Sequence, residues 1–329
     1  MGDGMNDEPG VEQAVQVCSH STSDIDELAS SVCGWDQRYD QLSPGRYHGS
    51  LTECWIDDIQ VIRERSNLCL HQMGYSWSGA RVFGIPMVQS GAARFGTQVI
   101  EAAAPVTLGP GQELDYRTPP TLDVISIVLS AEKLSQLSLA LDGFDLESVL
   151  GGSHCLASNA PRLMELRALL QALARVFEFA PELLAYPAVR KGLRHTLVTS
   201  LLEAFSHQDN RYEGNQRTLQ HKLIVERAKR YILESPQEPP TIAELCAMIG
   251  VSRRTLQTCF QEIMGTNPVH YLRAVRLNQV RRALRQSTTH KPKVQDIACT
   301  WGFWHLSSFT ADYKRMFGEL PSQTLHRPR

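Results

Sequence analysis

Residues 241–264, TIAELCAMIGVSRRTLQTCFQEIM, confine two helices and a turn to a very short stretch. Thr241 is a natural N-cap, and Glu244, three residues later, completes a capping box. Ile242, Leu245 and Ile249 then form one apolar face. Gly250 is suited to the left-handed conformation that ends a helix, Val251 tucks inward, and Ser252 caps the next helix. In that second helix Leu256, Cys259, Phe260 and Ile263 fall on one side. At about 100° per residue, Arg254, Thr258 and Gln261 fall on the other, with Gln257 at the edge and Arg253 beside them. The spacing predicts a helix-turn-helix.

Residues 294–317 repeat the plan. A short helix over 294–300 leads into the turn Trp301-Gly302-Phe303, and a second helix runs over roughly 305–317. Phe309, Tyr313, Met316 and Phe317 make its core face, Gly318 stops it, and Pro321 prevents continuation. His305, Ser307, Ser308 and Thr310 are left to face a groove. Between the units, residues 267–286 read as one helix about 27 Å long, against roughly 34 Å for a turn of B-DNA.

The charge is unevenly spread. The net value is −2, yet residues 219–329 hold 17 Lys+Arg against 8 Asp+Glu, a net of +9, which leaves −11 for the rest. A basic terminal third on an acidic remainder points to a polyanion partner for one end only. The first twenty residues lack Lys and Arg, so they do not read as a secretory signal. No apolar run reaches the roughly 18 residues of a membrane span, and a cytoplasmic protein is expected. The eight cysteines show no C-x-x-C spacing and read as free thiols, with no metal site expected.

Upstream, residues 1–34 are polar and read as an arm with one short helix. From 46 to 130 short β-type runs alternate with turns: YHGSLTECWI, DIQVIRER, LCLHQMGYSW, ARVFGIPMV, ARFGTQVI and LDVISIVLS. This suggests a small antiparallel barrel or sandwich. Two helices that begin at prolines follow, over 161–180 and 187–207; they cover the strands and offer either a dimer interface or interdomain packing. Residues 208–218 read as a linker. The division is therefore arm 1–34, barrel plus helices 35–207, linker 208–218 and an all-α domain 219–329.

The pattern P-x-x-Y-L-R-x-x-R-L…GF…F-x-x-x-[FY]-K-x-x-FG-x-x-P-S stands here as Pro268, Tyr271, Leu272, Arg276, Leu277, Gly302, Phe303, Phe309, Tyr313, Lys314, Phe317, Gly318, Pro321 and Ser322. It resembles the AraC/XylS regulators over about residues 219–327. The resemblance implies an α+β chain: a cupin-like antiparallel β-barrel with helices, then an all-α domain whose two helix-turn-helix units read adjacent major grooves. It implies a transcriptional activator, with double-stranded DNA, a small-molecule effector and RNA polymerase as partners and a homodimer as a further expectation. By position, Arg254, Gln257 and Thr258 would meet base edges from the first unit, and Leu306, Ser307, Ser308, Thr310 and Ala311 from the second. Arg suits guanine and Gln suits adenine. Ala311 departs from the basic or polar residue common in the family, so the second unit should lean on phosphate contacts. Arg273, Arg281, Arg282 and Arg285 are phosphate candidates.

WDQRYDQLSPGRYHGSLTE (35–53), DDIQVIRE (57–64), FGIP (83–86) and GFWHL (302–306) resemble, more narrowly, the regulators of ethanolamine-utilisation operons. That implies ethanolamine with adenosylcobalamin as effectors; the alternative is a regulator of the same type that responds to a different small amine or metabolite. An amine pocket needs a carboxylate or aromatic faces, and Trp55, Asp57, Glu64, Tyr75, Trp77 and Phe83 supply candidates by type. The same aromatics also suit an ordinary core. His48 and His71 are isolated and read as structural rather than as cobalt ligands.

Two other classes compete. A cupin-like enzyme needs clustered His and carboxylate ligands, or a G-x-S-x-G or phosphate-loop motif, and none is present, so no catalysis is expected. An architectural DNA binder has no use for roughly two hundred residues of acidic barrel and helix.

Overall fold

The computed structural model describes residues 17–326 apart from 97, 102, 143–144, 151–153, 157, 206–215, 235–239, 287–292 and 304. Residues 1–16 of the expected arm and 208–215 of the expected linker lie outside the described residues. Residues 17–30, assigned to that arm by their polarity, supply β1 (Val17–Thr22) and α1 (Ile25–Ser30). Asp24 caps α1 by accepting from the Asp26 N–H at 2.9 Å, and Ile25, Leu28 and Ala29 bury its inner face.

The strands that follow are β2 (Asp36–Gln41), β3 (Gly49–Ile56), β4 (Ile59–Ser66), β5 (Leu70–Tyr75), β6 (Ala80–Ser90), β7 (Ala93–Phe95), β8 (Gln98–Ile100), β9 (Val106–Leu108), β10 (Leu114–Arg117) and β11 (Thr121–Ser130). They pair antiparallel into two sheets, in the orders β1-β3-β4-β11-β6-β9 and β2-β5-β10-β7-β8. No ladder closes the two into a ring among the described residues, which corrects the expected barrel to an open pair of sheets. The β9 edge is met by another segment instead. Residues 154–156 run along β9, with Thr107 N–H on the His154 carbonyl at 3.0 Å and Leu156 N–H on that of Pro105 at 3.1 Å.

Period-2 alternation gives the six-stranded sheet two apolar faces. In β11, Leu122 and Val128 join the cluster between the sheets, while Ile125, Ile127 and Leu129 join a second cluster under the helices. That second cluster is completed by α2 (Ala131–Asp142), α3 (Leu146–Leu150), α4 (Ala160–Phe179) and α5 (Pro187–Phe205), with a 3-10 turn at Pro181–Ala185. Pro161 stands in the first turn of α4 and Pro187 opens α5, where a missing N–H costs nothing.

The last third is α6 (Gln216–Glu234), α7 (Ile242–Ile249), α8 (Arg253–Met264), α9 (Pro268–Gln286), α10 (Val294–Thr300), α11 (Leu306–Phe317) and α12 (Pro321–Leu325). It has two cores. Leu245, Leu256, Phe260, Ile263 and Tyr271 pack in one, and Leu277, Leu284, Phe309, Tyr313 and Phe317 in the other. The long α9 contributes to both.

Candidate nucleic-acid interface and ligand cavity

The first unit forms as its caps dictate. Thr241 and Glu244 make the reciprocal capping box, and Gly250 closes α7 at φ 77°, a value that L side chains rarely adopt. Ser252 then accepts from the Thr255 N–H at 3.1 Å to start α8. Leu256, Cys259, Phe260 and Ile263 are buried. The opposite face leaves Arg253, Arg254, Gln257 and Gln261 exposed and Thr258 half-buried.

The second unit turns at Gly302, φ 78°. His305, Ser307 and Ser308 are exposed at the start of α11. Leu306, expected at a base edge, packs against the second core, and the Thr310 hydroxyl donates to its carbonyl at 2.8 Å. Ala311 is exposed. Between the two units lies a groove of about 420 Å³ lined by Thr241, Arg273, Arg276, Phe303, His305 and Ser308 among others. Arg273 is half-exposed there and ion-paired with Asp312, which also receives Arg315. The arrangement offers guanidinium, amide and hydroxyl donors on one surface, a donor set that suits base edges and phosphates.

Arg281, Arg282 and Arg285, read as phosphate candidates, are engaged elsewhere. Arg282 donates to Asp26 at 2.8 Å and Asp40 at 2.7 Å, and also to the Tyr39 carbonyl. Arg281 and Arg285 pair with Asp24. Burial works against the Asp40 charge, but Arg282 and Arg38 outweigh it and hold the carboxyl below its ordinary range. These arginines fasten α9 to the strands. Nearby, Asn278 accepts from the Gln41 N–H at 3.1 Å and donates to the Gln41 carbonyl at 3.0 Å, pairing with the free edge of β2 at its last residue.

A second buried junction lies under β5 and β10. Tyr271 Oη is 3.1 Å from His71 Nδ1, and His71 Nε2 is 2.6 Å from Asp115. Lys229 of α6 reaches the other Asp115 oxygen. Burial opposes ionisation of Asp115, yet Lys229 and His71 keep its carboxyl far below the usual range.

A cavity of about 70 Å³ opens between the two sheets. Its walls include Trp35, Tyr39, Phe95 and Tyr116, and Glu64, Gln37 and Gln72 are among its polar members. Glu64 is 8% exposed. It accepts from the Tyr39 phenol at 3.1 Å and from Gln72 Nε2 at 2.6 Å. Burial pushes its carboxyl up to about 7 even though both hydrogen bonds favour the charged form. Among the described residues, no Lys, Arg or His lines the cavity. Gly84 also lines it, and a Cβ there would stand 2.8 Å from Val106 Cγ2.

Of the six residues proposed from type for an effector, only Glu64 lines this cavity. Phe83 points the other way and stacks on Phe205 at 5.6 Å under the helices. Trp55 and Trp77 pair at 6.2 Å and donate to Glu53 and Gln60. Asp57 occupies the β3–β4 turn at φ 54° and pairs with Arg190 at 3.0 Å. Tyr75 is exposed. The walls Tyr39, Phe95 and Tyr116 were not singled out. The alternation in WDQRYDQ, which places Gln37 and Tyr39 on one face, was the available signal.

Residues 245–327 match the model of a helix-turn-helix domain. A probable thc operon regulatory protein of Rhodococcus erythropolis is 29% identical over 203 residues, 62% of this chain and 57% of that protein. The XylDLEGF operon transcriptional activator 2 of Pseudomonas putida is 34% identical over 132 residues, 39% of this chain and 80% of that protein. A solved structure of a probable AraC family transcriptional regulator from Rhodopseudomonas palustris is 36% identical over 32% of this chain and 98% of its own, with a TM-score of 0.30. The chain thus spans little more than half of the Rhodococcus relative but most of the shorter Pseudomonas one. With two helix-turn-helix units on one connecting helix and a relative this similar over four-fifths of its length, the chain belongs to the AraC/XylS family of transcriptional regulators.

Proposed function

We propose that this chain is a cytoplasmic transcription activator of a catabolic operon, which reads double-stranded DNA through α8 and α11 and answers to a small molecule in the inter-sheet cavity. The observation that carries the reading is the exposed polar face of α8, set opposite a fully apolar one in a doubly capped helix-turn-helix. Arg254, Gln257 and Thr258 supply base contacts, and Arg253, Gln261, Arg273 and His305 supply further contacts to bases or phosphates. The operon-regulator names of the Rhodococcus and Pseudomonas relatives support a catabolic target. RNA polymerase is the partner an activator requires, and a homodimer suits a family that binds adjacent sites.

Ethanolamine is the effector suggested by the narrower resemblance. One water needs roughly 10–15 Å³ on the measure that gives this cavity about 70 Å³, so a ligand of about five heavy atoms fits. Glu64 among aromatic walls suits an ammonium group. Adenosylcobalamin does not fit: a corrin far exceeds the cavity, His71 has both ring nitrogens engaged, and His48 lies on the exterior. No step is therefore assigned to it.

The test is fluorescence anisotropy of the full chain on its own upstream promoter DNA at fixed salt, with and without ethanolamine, adenosylcobalamin and both. Specific binding that tightens with ethanolamine supports both halves of the reading. Specific binding indifferent to every addition keeps the DNA-reading half and removes ethanolamine as a modulator of affinity. Absence of specific binding throughout overturns the regulator reading on this DNA.

A further inference from the structure

We infer that the five-stranded sheet sets the spacing between the two recognition helices by holding the C-terminal end of each, with Arg94 and Gln41 as the positioning residues. The inference rests on the reading that α8 and α11 enter adjacent grooves of one duplex.

The last carbonyls of an α-helix have no partner within the helix. In α8 two of them, Glu262 and Ile263, accept from Arg94 Nη1 at 2.8 and 2.6 Å. In α11 the Met316 carbonyl accepts from Gln41 Nε2 and from the Gly45 N–H, the latter at 3.0 Å. Arg94 also places a positive charge at the negative end of the α8 dipole. Both grips come from one sheet. Gln41 ends the edge strand β2, and Arg94 sits on β7, three strands away in the order β2-β5-β10-β7. At about 4.8 Å per strand step the two anchors are held roughly 14 Å apart by backbone ladders.

The other connection between the units is α9, through its packing in both cores and the Arg273–Asp312 pair. α8 reaches α9 through Gly265 at φ 62°, a turn held by short-range bonds, and α9 is roughly 28 Å long on helical rise. α9 packs into the cores of both units and so carries part of the spacing, while the sheet grips act on the last turns of α8 and α11. The sheet grips add to that packing, and Tyr271 on His71 and Asn278 on Gln41 tie α9 to the same sheet. Attachments at β2, β5 and β7 of one sheet bear on both separation and phase.

Separation and phase are what adjacent grooves demand. One inserted base pair moves the second site by about 3.4 Å and rotates it by about 34°. The same strands also face the cavity. Phe95 follows Arg94, and Tyr39 lies two residues before Gln41. A ligand that displaces either aromatic therefore acts on a grip, and spacing is the quantity it changes.

The experiment begins with duplexes selected from a random library by the full wild-type chain. Anisotropy then compares the selected duplex with versions carrying one extra or one fewer base pair between the two subsites. Wild type is expected to lose at least tenfold on either change. A chain carrying both Arg94→Ala and Gln41→Ala is expected to lose less than threefold, with unchanged affinity for a duplex holding only the first subsite. Arg94→Lys, which keeps a cation at the helix end, should recover part of the discrimination, and circular dichroism melting establishes that each chain is folded. If a folded double variant, or Gln41→Ala alone should the double variant not fold, shows the wild-type spacing penalty, α9 is the ruler and the inference is wrong. If wild type enriches no sequence, the DNA-reading proposal falls and takes this one with it, so the two failures are distinguishable.

Discussion

Tyr39 and Arg282 meet at a backbone oxygen: the Tyr39 carbonyl accepts from the Arg282 guanidinium of α9, while the Tyr39 phenol donates to Glu64 in the cavity. The relationship recurs along the five-stranded sheet. Phe95, Tyr116 and Gln72 line the cavity, and their neighbours Arg94, Asp115 and His71 contact α8, α6 and α9. Alternation with a period of two makes adjacent residues of one strand serve opposite faces. The cavity and the helical third are thus separated by a single layer of backbone.

Arg282→Leu tests how firmly that layer is fastened. The substitution leaves the fully buried Asp40 with only Arg38. Removing one partner of a buried pair costs about 3–5 kcal/mol. Because Arg38 remains, a loss near 3 kcal/mol in urea unfolding is expected; a loss under about 1 kcal/mol would show that Arg282 does not join the halves.

Glu64 predicts a pH dependence. Its carboxyl stands at about 7 when folded against an ordinary value of 4.5. Between these values the unfolded chain releases a proton that the folded chain keeps, so stability falls as pH rises from about 4.5 to 7 and then levels. The full effect is on the order of 3 kcal/mol. Tyr39, Tyr47 and Tyr116 face the same carboxyl, but burial raises all three, so they stay protonated across this window. Urea midpoints at pH 5 and pH 8 should differ more in the wild type than in Glu64→Gln, and parallel profiles would exclude Glu64 as the titrating group.

Arg254→Ala should cost about 1–3 kcal/mol of DNA binding and relax the preference at one base pair. Affinities measured on duplexes substituted at each position in turn provide the check. A uniform loss on all sequences would reassign Arg254 to a phosphate.

Phe83→Ala separates the apolar core from the cavity. Phe83 is fully buried and stacked on Phe205, so the substitution should cost about 3–5 kcal/mol in thermal or urea unfolding. The affinity of the surviving folded fraction for any cavity ligand should be unchanged. A change in ligand affinity without loss of stability would place Phe83 in the site.

The helix-turn-helix units were legible because their signals are local. Thr241, Glu244, Gly250 and Ser252 act within one or two turns of themselves, and the helices begin and end where those residues place them. α1 was equally local, with Asp24 capping Ile25, Leu28 and Ala29 at helical spacing, and it supplies the short helix expected of the arm; the strand β1 beside it was hidden by its polar residues. The cavity was not legible, since Tyr39, Glu64, Phe95 and Tyr116 come together only through strand pairings across both sheets. The arginines of α9 misled for a related reason. Sequence shows that they are basic, and only the fold reveals that Asp24, Asp26 and Asp40 are already waiting for them.

Asn278 has a consequence for how the two halves are made and handled. By pairing with both backbone groups of Gln41, it covers the last residue of the outer edge of β2. An N-terminal half expressed without α9 carries that edge bare, and bare edges recruit other strands. Such a fragment should cross-pair and precipitate, however well its own core is packed. The helical third therefore also shields this end of the sheet to which it is fastened.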